Sequence, residues 1–179
     1  MLTIKFIVGI SDLDNTLHLL DEEKISLDLT NVWKTLYDSL DGQLDYEFDT
    51  GITITSGEKK VEIGDYFQNL LLKLCIYVPT KLVNNEVGIF PATDSSALIF
   101  FERKGDEVFT TSNLSSDYFD GVFPYSDLVV ELFSCGKRML HFYTTFCQLA
   151  GVDEFLYTKM YRQELTKLQQ ALQELGIID

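Results

Sequence analysis

Twice in this chain two short strand-like segments flank a glycine-containing turn, and no other feature restricts its fold as much. Ile52-Thr53-Ile54-Thr55 and Val61-Glu62-Ile63 lie on either side of Ser56-Gly57-Glu58-Lys59. Ala97-Leu98-Ile99-Phe100-Phe101 and Glu107-Val108-Phe109-Thr110-Thr111 lie on either side of Lys104-Gly105-Asp106. A period of two marks a half-buried strand, and a short glycine turn between two such strands joins them antiparallel. Residues 2–10 alternate in the same way, with Ile4, Phe6, Val8 and Ile10 on one side. Leu44, Tyr46 and Phe48 extend the first hairpin backwards, so 43–64 reads as one hairpin with a bulge at Gly51. Residues 11–29 are polar and acidic with interspersed leucines and are assigned no element.

Elsewhere the apolar period is helical. Thr30 or Asn31 caps a short helix with Val32, Trp33, Leu36, Tyr37 and Leu40 on one face, ended by Gly42. Asp65 caps a second helix carrying Tyr66, Phe67, Leu70, Leu71, Leu74 and Cys75, and Pro79 is expected to stop it. Ser126 opens a long helix bearing Leu128, Val129, Leu132, Phe133, Met139, Leu140, Tyr143, Phe146 and Cys147. Gly151 separates it from a last helix, about 153–175, striped by Leu156, Met160, Leu165, Leu168, Leu172 and Leu175. Hairpins without strict βα alternation indicate the α+β class. The expectation is a single domain over 1–179: one antiparallel sheet of about five to six strands, helices on one face, and a C-terminal helix hairpin.

The chain has 179 residues, 46% of them apolar and 13% aromatic, enough to build a core without staples. Its first residues alternate as a strand and lack the cleavage site of a signal peptide. No apolar run reaches the roughly 20 residues of a membrane span. Cys75, Cys135 and Cys147 are odd in number, far apart and set in apolar stretches, which reads as reduced thiols in a cytoplasmic protein. No cysteine–histidine spacing suggests zinc, no glycine-rich loop suggests a phosphate cradle, and no cofactor is expected. His18 and His141 are the only histidines, and His141 reads as a packed or boundary residue of its helix.

Charge narrows the choice of partner. The net charge is -14, from 28 acids and 14 bases. Residues 12–58 hold twelve of the acids, Asp12, Asp14, Asp21, Glu22, Glu23, Asp28, Asp38, Asp41, Asp45, Glu47, Asp49 and Glu58, opposed only by Lys24 and Lys34. That window alone carries -10. On a strand Asp45, Glu47 and Asp49 point to one side at intervals of about 6–7 Å, a ladder of like charges. Such a surface repels nucleic acid and anionic membrane and attracts a basic protein. Asp21, Glu22, Glu23, Asp38, Asp41, Asp45, Glu47 and Asp49 are the candidate contact residues, with Trp33, Tyr37 and Tyr46 as anchors if exposed.

One short stretch suggests chemistry. Asp12-Leu13-Asp14-Asn15-Thr16 follows an apolar strand and resembles the DxDxT motif of the haloacid dehalogenase-like phosphatases. The resemblance implies a Mg²⁺-dependent phosphatase, with Asp12 as nucleophile, Asp14 as general acid/base and Thr16 as a supporting hydroxyl. Thr55 or Ser56 would then end the second motif, and Lys59 or Lys81 would supply the lysine. Ser11 departs from the apolar residue usual before the nucleophile, no late strand ends in an acidic pair, and that family has a parallel sheet. Asp12, Asp14, Thr16 and Glu23 also fit four positions of a calcium loop, but Leu17 stands where the loop needs glycine.

In size, acidity and layout the whole chain resembles bacterial toxin-immunity proteins, whose acidic surfaces cover basic toxins. The resemblance implies an inhibitor that neutralises a toxin or enzyme by occluding a basic site. A regulatory or structural subunit without catalysis is the third possibility.

Overall fold

A computed structural model describes residues 2–11, 17–21, 49–93, 95–114, 120–150 and 157–179, with the backbone alone at 10, 11, 17–21, 49, 149 and 150. The protein is α+β, with two antiparallel sheets where one was expected. Sheet A comprises β1 (Leu2–Ser11), β2 (Leu17–Asp21), β3 (Asp49–Ser56) and β4 (Lys59–Tyr66), in the order β2-β1-β3-β4. Sheet B comprises β5 (Gly88–Pro91), β6 (Leu98–Lys104), β7 (Glu107–Ser112) and β8 (Gly121–Pro124), in sequence order. The two hairpins are in separate sheets because β4 runs straight into a helix, which carries the chain away before β5 begins.

The period-two pattern determines which side of sheet A is buried. Ile4, Ile54 and Val61 form one cross-strand row and Phe6, Ile52 and Ile63 the next, all buried. The expected bulge at Gly51 is absent. Gly51 keeps register with Ile7 on one side and Gly64 on the other. A Cβ there would stand 2.9 Å from Ile7 Cγ1, so the glycine makes room for the Ile7 side chain.

The helix after β4 also differs from expectation. Phe67–Asn69, the π-helical Leu70–Tyr77 and Val78–Val83 follow without a break and together form α1. Pro79 does not stop it. Val78 donates its N–H to the Lys73 carbonyl, an i−5 bond, so the wider π turn ends just before the proline. Pro79 thus falls in the first turn of a new α segment, where a missing N–H costs little. Asp65 is not the cap either. Tyr66 holds that position, and the Asp65 carboxylate turns to Tyr66, Asn69 and Thr93.

Helix α2 (Tyr125–Ala150) buries every apolar residue assigned to its stripe. It lies against β1, α1 and the far end of sheet B. Arg138 on α2 donates from Nη2 to the Ile4 carbonyl at 2.7 Å, tying the helix to β1. Gly136 lets α1 come close, since a Cβ there would be 3.0 Å from Cys75 Cβ. Helix α3 (Thr158–Glu174) buries Tyr161, Leu165, Leu168 and Leu172. It packs on both α2 and α1, so it completes a three-helix layer rather than an isolated hairpin. The joint at 151–156 lies outside the described residues, as do Leu156 and the helix expected over 30–42. One buried core runs through both sheets and all three helices, with the rings of Phe6, Phe67 and Phe146 each against Phe142 and Tyr143 against Phe67. No helix among the described residues is long and apolar enough to cross a membrane.

Candidate docking face

The acidic window meets sheet A at two points. Asp21 ends β2 opposite Ile7 of β1, and Gly51 of β3 pairs with the same Ile7 from the other side. Asp49 opens β3 opposite Tyr66. Asp21 and Asp49 therefore stand on the strands either side of β1, two strand spacings or about 10 Å apart. Glu22, Glu23, Asp38, Asp41, Asp45 and Glu47 lie outside the described residues, as do Trp33, Tyr37 and Tyr46. So do Asp12, Asp14 and Thr16. The strand leading to Asp12, β1, has antiparallel neighbours on both sides. Lys81, one of two lysines considered for the phosphatase-like set, is bonded to Glu86 at 2.6 Å.

The three cysteines are buried and free. Burial pushes the Cys75 thiol well above its ordinary value, neighbouring Cys135 adds to the rise, and Arg138 offsets part of it. The Cys75 thiol faces the Met139 sulfur at 4.0 Å. Protonated, enclosed thiols of this kind are poor nucleophiles. Among the described residues no three His, Cys, Asp or Glu side chains converge as metal ligands.

The most unusual surface is the outer face of sheet B. Its inner face packs on the core through Phe90, Ile99, Phe101, Val108 and Phe123. Alternation then directs Ile89, Leu98, Phe100, Phe109 and Val122 outward, Ile89 and Val122 exposed and the other three half-buried. Register makes them neighbours: Ile89 pairs with Phe100, Pro91 with Leu98, and Phe109 with Val122. Ile89 is 46% exposed and Val122 47%. The outer face of an antiparallel sheet is ordinarily polar. Here the outer face carries two apolar pairs, Ile89–Phe100 and Phe109–Val122, set diagonally across β6–β7, where Phe100 lies opposite Thr111 and Phe109 opposite Glu102.

Charge surrounds this patch on one side. Glu102, Asp106 and Glu107 are exposed at the β6–β7 turn, and Lys104 is the cation among them. Lys104 is itself engaged, bonded to Glu102 at 2.9 Å with its ammonium 5.1 Å from the Phe109 ring centroid. The turn is firmly held. Arg103 stacks 3.6 Å over the Tyr125 ring and donates from Nε to the Gly105 carbonyl at 2.9 Å. The Tyr125 backbone N–H bonds the Asp106 carbonyl at 2.8 Å.

Sequence reasoning missed this face because it missed β5 and β8. A signal was present: Gly88-Ile89-Phe90-Pro91 and Gly121-Val122-Phe123-Pro124 are one pattern written twice. In each the aromatic is buried, the β-branched residue is exposed and the proline ends an edge strand. No protein-family model, curated protein or solved structure shows a significant match to the chain.

Proposed function

We propose that the protein is an acidic protein-binding module, an inhibitor or immunity protein that neutralises a toxin or enzyme by covering a basic site. The observation that carries this reading is the outer face of sheet B, where the apolar pairs Ile89–Phe100 and Phe109–Val122 stand beside the exposed acids Glu102, Asp106 and Glu107. Interfaces share that anatomy: desolvated aromatic and aliphatic side chains in the middle, charge around them. Phe100 and Phe109 are the anchors, and Glu102, Asp106 and Glu107 face the partner's cations. The charge of -14 acts at longer range, steering a basic partner and raising its association rate. Asp21, Asp49 and the acids between them, less Lys24 and Lys34, supply half of that charge.

The test is affinity capture with wild type and Phe100→Asp at low and high salt. A basic protein captured by wild type, associating more slowly in salt and bound at least tenfold more weakly by the variant, is the expected result. Equal capture by the variant, or an acidic partner, contradicts the reading.

A further inference from the structure

The edge strands of sheet B, β5 and β8, are four residues long and end in proline, two of the devices that keep a sheet edge from pairing with another chain. The edge strand β4 of sheet A is different. It runs for eight residues without a proline, and its register with β3 is unbroken from Lys59 to Tyr66, so no bulge twists it aside. Among the described residues no strand lies on its outer side.

The turn before β4 determines which of its main-chain groups face outward. Ser56 and Lys59 pair across the two-residue turn Gly57-Glu58, and Gly57 has the positive φ that such turns require. That closing pair is hydrogen-bonded, and bonded and non-bonded pairs alternate from there. Lys60, Glu62 and Gly64 therefore direct their N–H and C=O away from β3. The same phase, carried across β3, turns the Ile4 carbonyl away from β3, and Arg138 bonds it there. Gly64 is main chain alone and is exposed, and a Cβ on it would meet nothing within 4 Å.

Side chains do not block this edge. The usual barriers are a charge pointing inward or a row of one sign. Here Val61 and Ile63 point inward and are buried. The outward row alternates in sign: Lys60 and Glu62 are bonded to one another and are 59% and 60% exposed. Glu58, Lys59, Lys60 and Glu62 sum to zero, so the charge of -14 is not concentrated along this strand.

We infer that β4 is a homodimer edge, at which two copies of the chain pair antiparallel about a two-fold axis through Val61. In such a contact residue i of each copy meets residue j of the other. With Val61 opposite Val61, Lys60 of each copy stands opposite Glu62 of the other, and the outward N–H and C=O groups of these residues form the new ladder. One ladder step in either direction sets Lys60 opposite Lys60 or Glu62 opposite Glu62, and like charges directly opposite are destabilising. Two steps toward the end of the strand set Val61 opposite Asp65, whose carboxylate is engaged by Thr93 and Asn69. Charge thus selects one register, and the four-stranded sheet A of each copy continues into the other. The outer face of sheet B takes no part.

Sedimentation equilibrium of the full chain from micromolar to millimolar concentration tests this. The mass should rise from 20.5 kDa toward twice that value. Lys60→Glu and Glu62→Lys should each weaken the dimer about tenfold, because each sets like charges opposite at both cross-strand positions. An equimolar mixture of the two variants should recover it, since the acidic edge of one then meets the basic edge of the other. Phe100→Asp, on sheet B, should associate as the wild type does. A wild type that stays at 20.5 kDa, a mixture no heavier than its components, or a dimer lost in Phe100→Asp overturns the assignment. Hydrogen exchange of the wild type gives a check that needs no variant. The Lys60 and Glu62 amides should exchange more slowly as concentration rises, and rates independent of concentration overturn the interface.

Discussion

The Asp65 carboxylate accepts the backbone N–H of Thr93 at 2.8 Å, joining the last strand of sheet A to the chain just beyond β5. The same oxygen accepts from Asn69 Nδ2 at 2.9 Å, and Asn69 also donates to the Pro91 carbonyl at 3.0 Å. One side chain thus gathers the end of β4, the start of α1 and the exit from β5. Bonds to a charged acceptor contribute about 1.5–3 kcal/mol each, less where water can replace them. Asp65→Ala should therefore cost about 1–3 kcal/mol, and Asp65→Asn, which keeps one acceptor oxygen, should cost less. Urea midpoints of the two variants check the order.

Gly136 makes a second prediction. Its missing side chain lets α2 meet α1 at Cys75 and α3 at Leu165. Cys75 Cβ is fixed to its backbone and cannot rotate aside. Gly136→Val should force the helices apart and destabilise by about 1–3 kcal/mol, the usual cost of overpacking. A thermal unfolding midpoint equal to wild type would show that the contact is looser than the structure has it.

Stability should fall on the alkaline side. Cys75 is raised well above a free thiol, mainly by burial, and Tyr125 is raised by burial with Arg103 opposing. A thiol in the unfolded chain ionises near pH 8.5. Above that pH the unfolded state has lost a proton that the folded state retains, so the stability, complete below about pH 8.5, declines as pH rises toward the folded value. Tyr125 adds a further loss above about pH 10. Urea midpoints from pH 7 to 10.5 should fall, and less steeply in Cys75→Ala; identical slopes would contradict the assignment to Cys75.

The phosphatase resemblance gives a discriminating assay. If Asp12 and Asp14 belong to an acidic surface, the wild type shows no Mg²⁺-dependent turnover of aryl phosphates, and Asp12→Asn changes nothing. Turnover in wild type that is lost in the variant would replace the binding function with catalysis.

What was legible in the sequence follows from how local each signal is. Both hairpin turns were readable because Gly57 and Gly105 lie between alternating runs long enough to show a period. The stripe of α2 was readable for the same reason over seven turns. Strands of four residues, β5 and β8, show no period of their own and are defined by the neighbours they pair with. Pro79 misled because a proline's effect depends on the turn before it, and the π segment is stabilised by packing rather than by a sequence signature. The acidic window was legible as charge. The apolar face was not, since two of its four strands are too short to show a period.

The most direct measurement of the central claim is site-specific photo-crosslinking in cells that express the protein. A photoreactive amino acid at position 100 should give a light-dependent adduct with a basic protein, and Phe109→Asp should abolish it. The same probe at position 167, on exposed α3, should give none. Adducts of equal yield from both positions, or none from position 100, would contradict docking on the outer face of sheet B.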